Sequence, residues 1–280
     1  MPMTINTNII SLNAQRNLNM SQSSLATSMQ RLSSGLRVNS AKDDAAGLAI
    51  AERMNAQVRG MNVAVRNAND GISLAQTADG ALASVGDSLQ RMRELAVQAR
   101  NSTNTGSDKD SLNLEFTQLS AEIGRVLGGT TFNGKSILGS NAGTLTFQVG
   151  ANVGSFDTIS IATANLTTNT IITTVTNASI GSTATATSLA TVVTAIDAAI
   201  DKINGERAIF GASQNRFSAV IANLQSSVEN QSAAQSRIMD ADFAAETANM
   251  SRAQILQQAG TAMVAQANTL PQQVLKLLQG

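Results

Sequence analysis

The sequence contains no cysteine, no histidine, no tryptophan and no tyrosine. Without cysteine the chain forms no disulfides, and without histidine it lacks the commonest general base and metal ligand of enzymes. We therefore expect no enzymatic activity, with no catalytic residue, no cofactor-binding residue and no metal site. The missing cysteine leaves the cellular compartment open, because an exported chain that stays unfolded in transit gains nothing from a reactive thiol.

Net charge and long apolar runs are missing as well. Lys and Arg together number 19, as do Asp and Glu, so no net field attracts nucleic acid or an anionic membrane. No uninterrupted apolar run approaches the roughly 18 residues of a membrane span, and residues 1–12 lack the basic start and apolar core of a secretory signal peptide. We expect no nucleic-acid or membrane partner and, if the protein leaves the cell, export by a dedicated apparatus.

Both ends of the chain carry apolar residues at alternating spacings of four and three. This spacing places one narrow stripe, here called a seam, along a helix and is typical of helices that pair in coiled coils. The N-terminal seam consists of Leu18, Leu25, Met29, Leu32 and Leu36. The C-terminal seam consists of Leu256, Gly260, Met263, Ala267, Leu270, Val274 and Leu277. We expect the two segments to pair with each other.

A longer seam occupies residues 41–100. The S-x-x-D pattern of Ser40 and Asp43 predicts a helix start there. The seam then continues for about six heptads, with a one-residue phase slip between Ala75 and Ala78. At 1.5 Å per residue such a helix would be roughly 90 Å long, which favours an elongated bundle over a compact domain.

Past this helix the pattern changes. Ser107 and Asp110 repeat the S-x-x-D pattern and predict the start of a shorter helix. Thr, Ser, Ala, Asn and Gly then dominate, and β-branched residues are frequent. Residues 145–149 and 158–161 are typical of two strands of a hairpin, and residues 171–175 predict a third strand.

These patterns predict a mainly α fold: an elongated helical bundle with paired terminal coiled-coil helices, a β-hairpin and a small β-rich or irregular middle segment. The predicted terminal coiled-coil core comprises residues 1–40 and 243–280. The helical bundle comprises residues 41–140 and 190–242, and the hairpin with a Thr-rich outer segment comprises residues 141–189. Because the seam resumes after the middle segment, both termini are expected at the same end of the molecule.

The end segments are poor in charge, which indicates contacts beyond one chain. The charged residues of segments 1–39 and 243–280 are Arg16, Arg31, Arg37, Glu246, Arg252 and Lys276. Two lone helices with a single seam are marginally stable, and uncharged Asn, Gln, Ser and Ala faces are buried at lower cost than charged ones. Other copies of the chain are the simplest partners. The alternative is an intramolecular four-helix bundle with solvated polar faces.

Two motifs suggest enzymes and are discounted. Residues 129–136 match the phosphate-binding pattern G-x-x-x-x-G-K-[ST], but that chemistry needs a strand before the loop and a helix after it. Here a helix precedes the motif, so nucleotide binding is not expected. Residues 86–89 spell the Gly-Asp-Ser-Leu block of lipolytic hydrolases, whose serine needs a histidine that this chain lacks.

Two acidic groups suggest a metal site. They are Asp43 with Asp44, and Asp240 with Asp242 and Glu246. Negative charge at helix N-termini and solvated faces explain them better.

Several stretches at both ends resemble bacterial flagellins. They are residues 5–8, 31–37, 41–47, 90–98, 132–134, 147–150, 240–246 and 265–278. The resemblance covers roughly residues 1–160 and 190–280 and indicates a short form with a reduced outer region. The glycine-rich stretch around Phe132 resembles the hairpin region of that family, which accounts for the apparent phosphate loop.

The resemblance implies a structural subunit that polymerises with itself into the extracellular flagellar filament used for swimming. It also implies export without a cleaved signal peptide through the flagellar type III apparatus, together with an export chaperone and filament cap and junction proteins. The nearest alternative is a hook–filament junction protein, which has similar terminal helices but caps a structure instead of propagating it.

The resemblance further implies a possible ligand of Toll-like receptor 5. The candidate receptor contacts are Gln90, Arg91, Glu94, Leu95 and Glu115. The alternative is that Arg91 and Glu94 only solvate the bundle and that Leu95 packs between subunits.

Overall fold

The computed structural model describes the backbone of residues 7–279 and the side chains of residues 7–269. Its helices are α1 (Ile9–Ser34), α2 (Ala45–Ala99), α3 (Gly106–Gly129), α4 (Thr170–Thr176), α5 (Ala186–Met239) and α6 (Phe243–Gln279). Its strands are β1 (Thr131–Phe132), β2 (Lys135–Ser136), β3 (Thr144–Gln148) and β4 (Thr158–Ala162). The predicted fold class, mainly α with a β-hairpin, is confirmed.

The described residues fall into two compact units. Unit 1 combines residues 1–56 with residues 230–280, and unit 2 comprises Gln57–Glu229. In unit 1, α1 packs against α6. The pairing predicted from the two seams is therefore present within one chain.

Helix α2 begins four residues later than predicted. The Asp44 carboxylate accepts a hydrogen bond from the Gly47 N–H at 2.8 Å. This bond satisfies one of the backbone donors of the first turn that have no partner within the helix. Asp43 instead closes a turn with Ser40: the Asp43 carboxylate accepts a hydrogen bond from the Ser40 backbone N–H at 2.9 Å. The prediction of a start at Ala41, capped by Ser40, was wrong because Ser40 and Asp43 close a turn with each other and Asp44 caps the helix.

Helix α3 is also capped differently. Thr105 and Asp108 form a capping box, in which the Thr105 hydroxyl accepts from the Asp108 N–H and the Asp108 carboxylate accepts from the Thr105 N–H. Of the predicted start, Ser107 lies inside the first turn and Asp110 lies just after it. The Asp110 carboxylate accepts a hydrogen bond from the Ser182 N–H at 2.8 Å and so ties α3 to a distant loop.

The predicted hairpin is confirmed within one residue at its ends. Strands β3 and β4 pair antiparallel, with Phe147 opposite Ile159. Ile159 and Ile161 are buried, and the Phe147 ring meets Phe217 of α5 edge to face, with centroids 5.4 Å apart. The hairpin is therefore part of the core of unit 2.

The predicted third strand at 171–175 is wrong. These residues form α4, whose N-cap Asn169 accepts a hydrogen bond from the Ile171 N–H. Ile172 and Val175 are buried, and their spacing of three fits one face of a helix. The β-branched composition of this segment favoured a strand. The N-cap at Asn169 and the burial of one helix face outweigh that preference.

The long seam of α2 forms one wall of the core of unit 2. Its buried members past residue 67 are Ala68, Ala75, Ala78, Leu82, Val85, Leu89, Met92, Ala96 and Ala99. They share one core with Phe116 of α3 and with Phe210 and Phe217 of α5. The phase slip between Ala75 and Ala78 is thus a real feature of the helix surface, because both alanines are fully buried.

Candidate assembly surface

Helices α1 and α6 contact each other along two regular seams. Apart from Arg31, the buried and half-buried residues of α1 are Ser11, Ala14, Leu18, Ser21, Leu25, Ser28 and Leu32. In α6 they are Glu246, Met250, Ala253, Gln257, Gly260, Val264 and Ala267. Both sets alternate spacings of three and four without interruption, which is the geometry of a coiled coil.

Small side chains let the two helices approach closely. Ser21, Ser28, Ala253 and Ala267 are all less than 9% exposed, and Gly260 faces Leu18. A seam of this kind buries little apolar area, since serine, alanine and glycine contribute little surface. Several larger apolar side chains, among them Met29, Leu256 and Met263, stay outside this seam.

Polar contacts fix the register of the pair near its ends. The Asn8 carboxamide donates to the Ala267 carbonyl at 2.7 Å, and the Ser11 hydroxyl donates to the Asn268 side chain at 2.8 Å. Towards the other end of α1, Arg31 lies 3.8 Å from the nearly buried carboxylate of Glu246. The register is therefore held by side chains more than 200 positions apart in the sequence.

The predicted seam is right in part. Leu18, Leu25 and Leu32 are half-buried as expected, whereas Met29, Leu256 and Met263 are more than half exposed. The prediction did not find the seam positions between the leucines of α1, because serine occupies them. A search for apolar residues passes over serine. Their role in self-assembly remains a prediction.

Four further seam predictions have separate outcomes. Leu36 lies beyond the end of α1, because Gly35 takes the left-handed conformation with φ 73° and its N–H bonds to the Arg31 carbonyl. The side chains of Leu270, Val274 and Leu277 lie outside the described residues.

The outer faces of this pair carry a set of exposed apolar side chains. They are Ile9, Ile10, Leu12, Met20, Met29, Phe243, Ile255, Leu256 and Met263, each between 53% and 67% exposed. Scattered exposed apolar residues are ordinary, but nine on two neighbouring helices with few charges form a surface suited to further protein contacts. We call this set the outer apolar faces.

The candidate receptor contacts lie in unit 2. Arg91 donates from Nε to Glu115 at 2.7 Å and from Nη1 to Glu94 at 2.8 Å. These bonds, first that to Glu115 and then that to Glu94, raise the pKa of the Arg91 guanidinium further above its usual range. Gln90 is exposed on the same helix. The structure therefore brings α2 and α3 together at this surface through an exposed charged cluster.

Leu95 does not belong to that surface. Its side chain is 1% exposed and lies in the core of unit 2. The prediction that it is an exposed contact was wrong, because Leu95 falls beside Met92 and Ala96 on the inward face of α2.

The two enzyme-like motifs have ordinary structural roles. Residues 129–136 form the tight hairpin of β1 and β2, with Asn133 at φ 48° and Gly134 at φ 77°, and helix α3 runs directly into it. Ser88 of the Gly-Asp-Ser-Leu block lies inside α2, where its hydroxyl donates to the Ser84 carbonyl at 2.9 Å. Neither stretch has the geometry that its motif requires.

The acidic groups have structural partners too. Asp242 caps α6 by accepting from the backbone N–H of Ala244 and Ala245. Asp240 accepts a hydrogen bond from the Ser236 hydroxyl at 2.5 Å.

Within the described residues, no helix is long and apolar enough to cross a membrane.

A coiled pair of chain ends, a helical bundle and an inserted hairpin define a helical structural protein. Residues 5–142 match the bacterial flagellin N-terminal helical region, and residues 193–278 match the bacterial flagellin C-terminal helical region. The chain therefore belongs to the bacterial flagellin family. This is a family of structural proteins that polymerise into the extracellular flagellar filament, and it is not a family of enzymes.

Individual relatives agree. The flagellin of Halalkalibacterium halodurans is 46% identical over 277 residues, which cover 99% of this chain and all of that one. The flagellin of Bacillus subtilis is 39% identical over 304 residues, with 99% and 100% coverage. With 280 residues, the chain is a short form of the family.

Solved structures show the same fold. The crystal structure of Bacillus cereus flagellin is 36% identical, with a TM-score of 0.51 over 61% of this chain and 94% of that one. A putative flagellar hook-associated protein from Vibrio parahaemolyticus has a TM-score of 0.60 over 71% of this chain and 100% of that one. At 13% identity the second likeness shows the fold alone.

Proposed function

We propose that this chain is a propagating subunit of the flagellar filament used for swimming, and that it polymerises through its terminal helix pair. The observation that carries the proposal is the set of outer apolar faces, which two paired helices within one chain leave uncovered. Copies of the chain are the simplest partners, because these faces hold few charges that would have to be desolvated.

Export and location follow from the same proposal. We propose that the subunit leaves the cell through the flagellar type III apparatus, assisted by a chaperone and by filament cap and junction proteins. The proposed domains are a terminal core of residues 1–40 and 243–280, a bundle of residues 41–140 and 190–242, and an outer segment of residues 141–189. The terminal core holds the proposed polymer contacts. We propose no enzymatic activity.

The test replaces apolar residues on the outer face of α1 with a polar residue of similar helix propensity. In the I9Q/L12Q/M20Q variant we expect helicity to be retained and seeded elongation to fail. The matched control is N13Q/N19Q/S24Q, which changes exposed polar residues of the same helix and should elongate like the native chain. Light scattering and electron microscopy of purified protein seeded with filament fragments give the readout.

Two further results bear on the proposal. Deletion of residues 1–39 should leave a folded unit 2 that does not polymerise, and continued filament growth by this fragment would refute the proposed role of the ends. Failure of the intact native chain to elongate seeds would favour the hook–filament junction alternative. The whole-length likeness to flagellins supports the propagating subunit over that alternative.

A second proposed function is recognition by Toll-like receptor 5 through Gln90, Arg91, Glu94 and Glu115. The observation that favours it is the exposed Arg91 cluster, which joins α2 to α3 at one surface. Receptor-reporter cells should respond to the native chain and lose most of that response with R91A. The control is R125A, which removes an exposed arginine of α3 paired only within its own helix turn with Glu122. An equal loss in both variants would contradict the assignment.

A further inference from the structure

Three of the side chains in the outer apolar faces are methionines. Met20 and Met29 of α1 are each 55% exposed, and Met263 of α6 is 61% exposed. The methionines in the bundle differ, since Met61 is 6% exposed and Met92 is fully buried. A dissolved oxidant therefore reaches the thioethers of the terminal pair and not those of the bundle core.

We propose that Met20, Met29 and Met263 are oxidation sites of the unassembled subunit, and that their conversion to methionine sulfoxide blocks assembly. The proposal rests on the proposed function, because it takes the outer apolar faces to be the contacts between copies. The modification itself depends only on the exposure of the three sulfur atoms.

The oxidant is a peroxide, with hydrogen peroxide as the simplest case. The thioether sulfur attacks one peroxide oxygen, a sulfur–oxygen bond forms as the oxygen–oxygen bond breaks, and the departing oxygen takes up the remaining proton to leave as water. Sulfur loses two electrons and the peroxide gains them. No cofactor is needed, and the sulfoxide is reversible by methionine sulfoxide reductases.

Oxidation changes the surface in the direction that opposes assembly. Methionine is a flexible apolar side chain that adapts to irregular interfaces, whereas its sulfoxide is polar and a strong hydrogen-bond acceptor. Apart from the three methionines, the outer apolar faces consist of Ile, Leu and Phe side chains, which offer no hydrogen-bond donor. A buried sulfoxide without a donor should weaken association by roughly tenfold or more at each site.

The positions of the sites make a partial modification sufficient. Met20 and Met29 are nine residues apart on α1, which at 100° per residue places them on opposite sides of that helix. Met263 lies on the other helix of the pair. Oxidation therefore places polar groups on two opposite sides of α1 and on α6, while the seam between α1 and α6, which contains none of the three, stays intact.

The first experiment maps the modification. Unassembled native chain is treated briefly with dilute hydrogen peroxide and digested, and the sulfoxide fraction of each peptide is measured by mass spectrometry. Met20, Met29 and Met263 should oxidise at least several times faster than Met61 and Met92. Equal rates at all five positions would overturn the assignment of sites.

The second experiment tests the effect on assembly with matched variants. Peroxide should raise the protein concentration needed for seeded elongation at least tenfold in the native chain, and a sulfoxide reductase should restore it. The M20L/M29L/M263L variant should assemble and resist peroxide, since leucine is apolar and of similar volume. The M54L/M239L variant, which changes two half-buried methionines outside the seam, should remain sensitive.

The outcomes separate this inference from the proposed function. Two results would overturn the proposal that oxidation of these methionines blocks assembly. One is elongation of the M20L/M29L/M263L variant that is still inhibited by peroxide, and the other is undiminished elongation of the fully oxidised native chain. If untreated native chain does not elongate at all, both the proposed function and the proposed effect of oxidation on assembly fail. In that case the peptide rates still decide whether the three methionines are the oxidation sites.

Discussion

Leu18 of α1 lies directly against Gly260 of α6. A Cβ on Gly260 would come 3.2 Å from the Leu18 Cδ1 and 3.9 Å from the Leu18 Cα. The nearest atom is the end of a flexible side chain, which can shift by a few tenths of an ångström, whereas the backbone behind it cannot. This contact sets how closely the terminal helices approach at their middle.

We predict that Gly260→Leu separates the two helices and destabilises their pairing by about 1–3 kcal/mol, because the added side chain has no space beside α1. Gly260→Ala should change stability by less than about 1 kcal/mol, since its tight contact is offset by the better helix propensity of alanine. Hydrogen exchange of the α1 amides measures the pairing. Thr261→Leu, at the adjacent exposed position, is the control and should leave that exchange unchanged.

A second prediction concerns Gly71 of α2. A Cβ there would lie 2.6 Å from Cζ of Phe217, whose ring is fully buried and held edge to face by Phe147. Because the ring cannot move without disturbing the core, Gly71→Ala should destabilise the bundle by about 1–3 kcal/mol in urea unfolding.

The matched control for that substitution is Gly80→Ala in the same helix. A Cβ on Gly80 meets nothing within 4 Å, and the residue is exposed. Alanine there should stabilise the protein by about 0.5–1 kcal/mol through helix propensity alone. The same sign for both substitutions would show that the ring of Phe217 does not limit the space at Gly71.

A third prediction concerns the ion pair of Lys202 and Glu206 in α5. The Glu206 side chain is 5% exposed, and Lys202 Nζ lies 2.7 Å from its Oε1. Lys202→Met removes the partner of a nearly buried carboxylate and should destabilise unit 2 by about 1–3 kcal/mol at neutral pH.

The double variant K202M/E206L tests the cause of that loss. Removing both charges leaves no unpaired buried group, so most of the lost free energy of unfolding should return. If the double variant is no more stable than Lys202→Met, the loss comes from packing of the lysine stem and not from the unpaired charge.

A fourth prediction concerns pH. Hydrogen bonding from Ser182, first from its backbone N–H, lowers the pKa of the Asp110 carboxyl. A carboxyl with a lowered pKa in the folded state contributes its full stabilisation above its ordinary pKa of about 3.9, and the contribution is lost as the pH falls through the lowered value. We therefore expect the Ser182 amide resonance to stay constant from pH 7 to about 5 and to shift below about pH 4.

The control for the pH prediction is Asp110→Asn, which keeps an acceptor oxygen but does not titrate in this range. Its Ser182 resonance should show no shift linked to position 110. An unchanged Ser182 resonance in the native chain across the whole range would contradict the link between Asp110 and the loop.

The helix caps show where sequence patterns were ambiguous. Ser40 and Asp44 are both good capping residues, as are Thr105 and Ser107. The predictions chose Ser40 and Ser107, whereas Asp44 and Thr105 cap the helices. The choice depends on which carboxylate or hydroxyl reaches a free N–H once the preceding chain is placed. Local patterns therefore located each helix start to within four residues and did not decide its cap.

The candidate sites show a similar division. The seven-residue spacing of Leu18, Leu25 and Leu32 already indicated one side of the α1 seam, and the flagellin resemblance already indicated a polymer. Ser21 and Ser28 gave no apolar signal, and they are recognisable only by their spacing from those leucines. The pairing of Arg91 with Glu115, 24 positions away, had no signal in spacing at all.

The sequence by itself indicated the family, through stretches that resemble flagellins, and it determined the mainly α fold, the long seam of α2 and the hairpin. These three features depend on periodicity and turn chemistry that act over a few neighbouring residues. Only the tertiary structure decided which residues face inward: Met29, Leu256 and Met263 outside, serine and glycine between the helices, and Leu95 in the core. The physical reason is that one helix offers several apolar stripes. Its partner helix selects the stripe that is buried, through the closeness of approach that small side chains allow and through the register fixed by distant polar contacts.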